Sequence, residues 1–522
     1  FLTKNKVASL DDILSVIDKD ENIRLSKNLF LDKGIIEKIS KIMDPFKRSR
    51  LDYKIQNISM LACDESIAPL TRATTSIKKF NRMSESEVIT PSKVCDEMVS
   101  LLPEEGLKKI VSNQDKLLDI ASKSGEYAVS LYKRLTFELG YSHEDVKDII
   151  YSIPTSSIAY EFTRRFYEIL ELNIENIAVG FNAYDLVNIK NDKDEVDFEK
   201  IISILRQKKD FCKITLIDEI KAGEKTVKFG AIIGNPPYQE IISKSKGNSS
   251  LGKQLFPNFI KLSIELTDRY SSLITPSKWF TADAQDNSFP KLREYLNDNK
   301  SFVRINVITN GSKLFQGTEL GSINYFLYDK QYIGDVAFSN DEDRSIVTRP
   351  LFEKGMSQII PLNSMVSILK KVVNSEKFVS IMTITKGRNA FGLTGKEANN
   401  ITTEYSKEND FEVRCSYERI RYVSKDKITK NVELANKYKI FMSKANGAAG
   451  ILGEKEQVSI LGKPYLGKKE TICTDSLIPI GGFDNEIEMN NLYKYLRTKF
   501  LRFMVGVLKS SQNIYQTVYK FA

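Results

Sequence analysis

Apolar residues recur at three- and four-residue steps in "LDDILSVI" and "GIIEKISKIM", so residues 1–80 read mostly as amphipathic helices. From about residue 81 the period changes. Short apolar runs, "KLLDIA", "DIIYSI", "NIAVGF", "AIIGN", "SSLITP" and "VRINVI", read as strands, and the stretches between several of them carry helical spacing. Strands alternating with helices over 81–335 predict an α/β domain whose parallel sheet is covered on both faces. From 336 to 522 the regularity fades into mixed strands and Gly-containing loops such as "KANGAAGILG" and "IPIGGFDN", with a closing helix near "NNLYKYLRTKFLRFMVGVL". That portion reads as a separate module of mixed α+β structure. No internal repeat or long low-complexity tract is present.

Length and composition agree with this division. A chain of 522 residues exceeds one core and should form two to four domains, and 41% hydrophobic with 28% charged residues is the balance of an ordinary globular protein. No apolar run approaches the roughly 18 residues of a membrane span, and the start does not resemble a secretory signal, so a cytoplasmic protein is expected. The opening Phe1 and the ending "VYKFA" suggest a piece of something longer. Cys63, Cys95, Cys212, Cys415 and Cys473 lie far apart, and His143 is the single histidine, which argues against zinc sites and against Cys or His nucleophile schemes. Net charge is +9, and residues 411–470 hold 13 Lys+Arg against 7 Asp+Glu, a local excess of 13 − 7 = +6. A polyanion would suit such a patch, and so would plain solvation of a Lys-rich face.

Candidate chemistry gathers at predicted strand ends. In "IIGNPPYQ" an apolar run stops at Asn235, Pro236, Pro237 and Tyr238. Two prolines cannot continue a ladder, so they begin a rigid turn presenting an amide, a fixed carbonyl and an aromatic ring. In "SEVITPSKVCDEMVSLL", Thr90 reads as an N-cap and Pro91 as a first helical residue. In "KLLDIASKSGEYAVSLYKRL" a strand ends at Asp119, a small-residue loop follows, and a helix starts near Gly125; in "NIAVGFNAYDLVN", Asp185 lies just past a strand end. Open α/β sheets collect ligands beyond the carboxyl ends of their strands.

The order "EVITP", "LLDIASKSG", "AYD", "IIGNPPYQ", "SSLITPSKWF" and "GSINYFLYDK" resembles the gamma class of adenine-specific DNA methyltransferases, and within it the enzymes of combined restriction-modification systems. The resemblance covers roughly 81–335. It implies a Rossmann-like domain using S-adenosyl-L-methionine, a target-recognition domain at 336–522, double-stranded DNA as partner, no membrane, and a nuclease or helicase region elsewhere in the full-length protein. By the same resemblance Thr90 and Pro91 would border the cofactor, as would Asn235. Asp119, Ala121 and Gly125 would lie against its methionine half, and Asp185 would bind its adenine amine. Asn235 and the Pro236 carbonyl, held by Pro237, would accept hydrogen bonds from the target amine while Tyr238 stacks on the flipped base.

The chain departs from the family pattern at Ile120, where Pro is usual, at Lys123, where Gly is common, and at "PTSS", where an acid often meets the ribose and Thr155 or Ser156 would substitute. "DFCKITLIDEIK" holds Asp210, Glu219 and Lys221 in a spacing faintly like that of a metal nuclease. In the C-terminal module Lys425, Lys427 and Lys430 are candidates for phosphate contacts, and Arg419 and Arg421, flanking Tyr417 and Tyr422, for base edges. The same Asn-Pro-Pro-Tyr turn occurs in enzymes that methylate glutamine side chains or RNA guanines, and the loop poor in glycine also fits a DNA-specificity module whose catalytic site has decayed.

Overall fold

The structure is a computed structural model, and it describes residues 1–80, 88–207, 210–217, 226–239, 253–284, 286–315, 318, 320–341, 345–398, 401, 404–405, 410–415, 419–446, 459–509 and 513–522. The architecture is mixed α/β, with a helical N-terminal region and a C-terminal part built on small sheets.

The N-terminal region consists of helices Leu10–Val16, Asp20–Asn28, Lys33–Ile42, Pro45–Cys63 and Pro69–Ile77. Short polar side chains start three of them: Ser9 accepts from the Asp12 amide, Asp32 from Ile35, and Asp44 from Phe46 and Lys47 ahead of Pro45. These helices dock on helix Ser157–Ile169, where Arg24 meets the buried Glu161 through two bonds of 3.0 and 3.1 Å and Arg165 donates to the Ala62 carbonyl.

The central sheet contains β1 (Lys116–Ser122), β2 (Ile150–Pro154), β3 (Phe229–Gly234), β4 (Tyr270–Pro276), β5 (Phe302–Ile308), β6 (Ile323–Asp329), β7 (Val336–Asn340) and β8 (Val347–Arg349), in the order β2-β1-β3-β4-β6-β5-β7-β8. The sheet is not all parallel. β2, β1, β3 and β4 run together, while β6 lies antiparallel between β4 and β5, and β8 antiparallel on β7. It also continues past residue 335, because β7 and β8 pair with it. Successive residues point to opposite faces, so Leu118 and Ile232 enter one core with helices Phe198–Leu205, Phe256–Leu266 and Ser288–Asp298. Leu117 and Ile233 enter the other with helices Ser92–Ser100, Glu104–Asn113, Glu126–Lys133 and Ser157–Ile169.

"NIAVGF" is not a strand. It makes one parallel bridge, Ser152 to Ile177, and one bond from the Ala178 amide to the Ser152 carbonyl. Pro154 has no N–H with which to extend that edge, and at Gly180 a side chain would come within 2.8 Å of the Ile214 carbonyl, so the segment packs against the loop at 211–214 instead.

The C-terminal part holds two three-stranded sheets. β9 (Asp410–Arg414), β10 (Ile420–Ser424) and β13 (Thr471–Cys473) form one in the order β10-β9-β13, and β11 (Tyr438–Ser443), β12 (Tyr465–Gly467) and β14 (Leu477–Phe483) the other in the order β12-β11-β14. The expected closing helix is two, Glu486–Leu496 and Lys499–Leu508, because the Thr498 side chain caps a new start by accepting from the Leu501 amide.

Candidate active site

β1 and β3 are neighbours with Asp119 opposite Ile233, so the loop after β1 and the turn after β3 leave the same edge of the sheet side by side. Asp119 is fully buried. Gly234 allows this, since a Cβ there would stand 3.3 Å from Asp119 Oδ1. The next residues are Asn235, Pro236 and Pro237, all buried, and the half-buried Tyr238.

Asn235 is held from across the chain. Its Nδ2 donates to Thr90 Oγ1 at 3.1 Å, and Tyr127 donates its hydroxyl to the same oxygen at 3.4 Å. With both donors arriving at Thr90, the amide is turned so that Oδ1 faces away, and that buried oxygen has no partner among the described residues. Thr90 is therefore not the cap of helix Ser92–Ser100. Pro91 stands at the cap position in an extended conformation, φ −55° and ψ 135°, and no side chain caps that helix. The long-range bond to Asn235 has claimed the hydroxyl.

The loop between β1 and helix Glu126–Lys133 is wound by its own polar groups. Ser122 Oγ accepts from the Gly125 amide at 3.0 Å and meets Thr163 Oγ1 at 3.0 Å, while Gly125 takes φ +81°, a left-handed value that favours glycine. The Ala121 amide points at Asp119 Oδ1. Lys123 and Glu126 are also buried, at 5% and 1% exposure, which sets them apart from ordinary loop charges. Lys123 Nζ donates to the backbone carbonyl of Asn235 at 3.0 Å, tying this loop to the Asn-Pro-Pro-Tyr turn. Glu126 Oε2 accepts from the Ser124 amide at 2.8 Å and from its hydroxyl at 3.0 Å. Asp119 Oδ2 and Glu126 Oε1 are buried without a partner among the described residues. Burial, and then the charge of Glu126, push the Asp119 carboxyl well above the usual range, against the pull of Ser122, the Ala121 amide and Lys123. Sequence reasoning missed Glu126 and Tyr127 as site residues and saw Lys123 only as a departure from pattern.

The remaining candidates are placed as follows. Asp185 lies in helix Ala183–Leu186, where its Oδ2 accepts from the Asn182 amide at 2.9 Å in a reciprocal cap. Ser156 caps helix Ser157–Ile169 by accepting from the Ala159 amide. The Tyr238 ring meets Phe256 edge-on at 6.4 Å, its hydroxyl is buried without a partner among the described residues, and burial raises its pKa. Asp210 pairs with Lys213, whereas Glu219 and Lys221 lie outside the described residues, as does Tyr417. Arg421 points at the Ile401 carbonyl, Arg419 is exposed, Lys425 pairs with Glu470 at 2.8 Å, and Lys427 and Lys430 are exposed.

A buried loop and an Asn-Pro-Pro-Tyr turn thus lie side by side at the carboxyl edge of the central sheet. Residues 148–315 match the Eco57I restriction-modification methylase family. An uncharacterized adenine-specific methylase of Mycoplasma pneumoniae is 26% identical over 349 residues, covering 58% of this chain and 79% of that protein. The nuclease-deleted Type ISP restriction-modification enzyme LlaGI, solved with a DNA substrate mimic, shares the fold at a TM-score of 0.50 and 11% identity; the match covers 98% of this chain and 60% of that enzyme. The chain carries a methyltransferase-family domain related to the methylases of restriction-modification systems.

Proposed function

We propose that this domain transfers a methyl group from S-adenosyl-L-methionine to the exocyclic amine of adenine in double-stranded DNA, with residues beyond the central sheet supplying target recognition. The observation that carries this reading is the Asn235 side chain, its nitrogen anchored on Thr90 and its oxygen buried without a partner among the described residues. Buried polar atoms are almost always paired, so an acceptor kept open beside two prolines and an aromatic ring is poised for a donor from outside the chain. An adenine amine is such a donor.

The cofactor fits the loop. Its ammonium suits the unpartnered Asp119 Oδ2 and Glu126 Oε1, and the region from Asp119 to Gly125 would hold its methionine half. When bound it would supply the methyl carbon on a sulfonium whose C–S bond breaks to leave a neutral thioether, and the methylated amine would lose its extra proton to solvent. The chain's own residues would do the rest. Asn235 Oδ1 and the Pro236 carbonyl, at ordinary hydrogen-bond lengths of about 2.9 Å, would draw both amine protons out of the base plane. The lone pair, otherwise delocalised into the ring, is thereby freed for attack, and both acceptors stabilise the positive charge that develops on nitrogen. An amine inside a stacked duplex is out of reach, so the base must swing out, and the exposed part of the Tyr238 ring would replace its lost stacking.

The experiment is a methyl-transfer assay with labelled cofactor on duplex DNA, RNA and protein, comparing wild type with Asn235→Ala. Label in adenine of duplex DNA, lost in the variant, is the expected result. Label confined to RNA or glutamine would move the substrate class, and no label with any substrate would refute the reading.

A further inference from the structure

We propose that Asp119, Lys123 and Glu126 form a buried charge cluster, two carboxylates and one ammonium, that selects a cofactor of net charge +1 over its neutral demethylated product. This rests on the methyl-transfer reading and deepens it.

All three side chains are at least nine-tenths buried, Asp119 in β1, Lys123 in the loop that follows and Glu126 at the start of the next helix. Lys123 Nζ is bonded to the Asn235 carbonyl and Asp119 Oδ1 lies against Gly234, so the cluster sits directly under the Asn-Pro-Pro-Tyr turn. Each carboxylate has one oxygen engaged within the loop and one without a partner among the described residues, and the independently placed Asn235 Oδ1 is a third open acceptor. The cluster sums to −1 with both carboxylates ionised. S-adenosylmethionine carries a sulfonium, an ammonium and a carboxylate, which sum to +1. Loss of the methyl turns the sulfonium into a neutral thioether and leaves the product at zero. The two molecules differ by that methyl and that one charge, and the cluster would discriminate through the charge. In a partly desolvated site a unit charge at cofactor distance is worth about tenfold in affinity.

Within the cluster, burial and then the charge of Glu126 raise the Asp119 pKa well above the usual carboxylate range. Among the described residues, Asp119 is faced by Lys123 from the loop after β1, Glu126 and Tyr127 from the following helix, Cys95 from helix Ser92–Ser100 and Tyr167 from helix Ser157–Ile169. Burial raises the pKa of Cys95, Tyr127 and Tyr167, which keeps them neutral, so that among these described groups Asp119, Lys123 and Glu126 set the charge. A cation arriving beside Asp119 lowers its pKa, which couples cation binding to proton release.

The test is calorimetric titration of the intact chain with S-adenosylmethionine and with S-adenosylhomocysteine, each in two buffers of different ionisation enthalpy. Wild type should release more protons on binding the cationic cofactor than on binding the neutral product. Glu126→Gln should lower the affinity ratio of cofactor to product about tenfold, and Lys123→Gln should raise it. A purely structural role would weaken both ligands together and leave the ratio unchanged. Equal proton release in wild type, which needs no variant to fold, or an unchanged ratio in soluble variants would overturn the inference alone. Failure of wild type to bind either ligand would overturn the methyl-transfer reading with it.

Discussion

Replacing Thr90 with Val keeps the shape of the side chain and removes the oxygen on which Asn235 Nδ2 and the Tyr127 hydroxyl converge. The Tyr127 hydroxyl retains the Met98 sulfur at 3.3 Å, so the loss falls on the Asn235 amide. A buried amide left without its acceptor costs about 1 to 3 kcal/mol, and urea unfolding should show a stability loss of that size. The catalytic consequence is separate. Without the Thr90 oxygen no described residue fixes which end of the amide faces the target, and the lost orientational preference of about 1.4 kcal/mol predicts a roughly tenfold slower single-turnover methyl transfer. Cofactor affinity should change by less than about twofold, because the effect lies in the chemical step. Thr90→Ser restores the oxygen and should restore the rate. A Val variant at the wild-type rate, or a Ser variant as slow as Val, would refute the claim that this hydroxyl aims the Asn235 oxygen.

Asn235→Ala removes an acceptor that matters most as charge develops, so single-turnover methylation should fall roughly 100- to 1000-fold while cofactor and DNA affinities stay within a few fold. Tyr238→Ala should lose about 1 to 3 kcal/mol of stacking on the extruded base, read as a dimmer fluorescent adenine analogue at the target. Tyr238→Phe should match wild type in brightness and stability, since its hydroxyl bonds to nothing among the described residues. Lys427→Gln with Lys430→Gln should weaken binding to every duplex and reduce the slope of log affinity against log salt by about 2, without altering which site is preferred. Lys425→Gln, whose ammonium is already paired with Glu470, should change the slope by less than about 0.5; equal slope changes from all three positions would show that the ion pair does not hold in solution.

Much of the central sheet was legible because its strands are short apolar runs bounded by turn residues. What a run of apolar residues reports is burial, however, and a ladder is only one way to obtain it. "NIAVGF" is buried through Ala178 and Phe181 against Phe211 and Ile214, contacts made by loops, and its single bridge to β2 is all the strand pairing it gains. The antiparallel place of β6 was illegible for a different reason. β4 lies nearer to β6 than to β5 in the sheet although β5 comes first in the chain, and nothing in the local pattern of "INYFLYD" encodes that neighbour.

At the site, the turn after β3 could be read because proline acts locally, through its fixed φ and its missing N–H, whatever surrounds it. Lys123 and Glu126 could not, since a charged residue in a loop is ordinarily exposed, and only the adjacency of β1 and β3 brings them under a turn more than a hundred positions away. Thr90 shows how such a local signal loses. A Thr before a Pro and an amphipathic run is a good cap, worth about 0.5 to 2 kcal/mol. Across the fold waits a buried Asn235 amide that would cost about 1 to 3 kcal/mol unpaired, so the hydroxyl goes to the amide and the helix starts uncapped. Asp185 meets the opposite condition. It is half-buried, and its carboxylate closes the local cap with Asn182 as the sequence chemistry of that turn favours. Local capping rules hold where no buried polar group competes, and at Thr90 the competitor is the buried amide of Asn235.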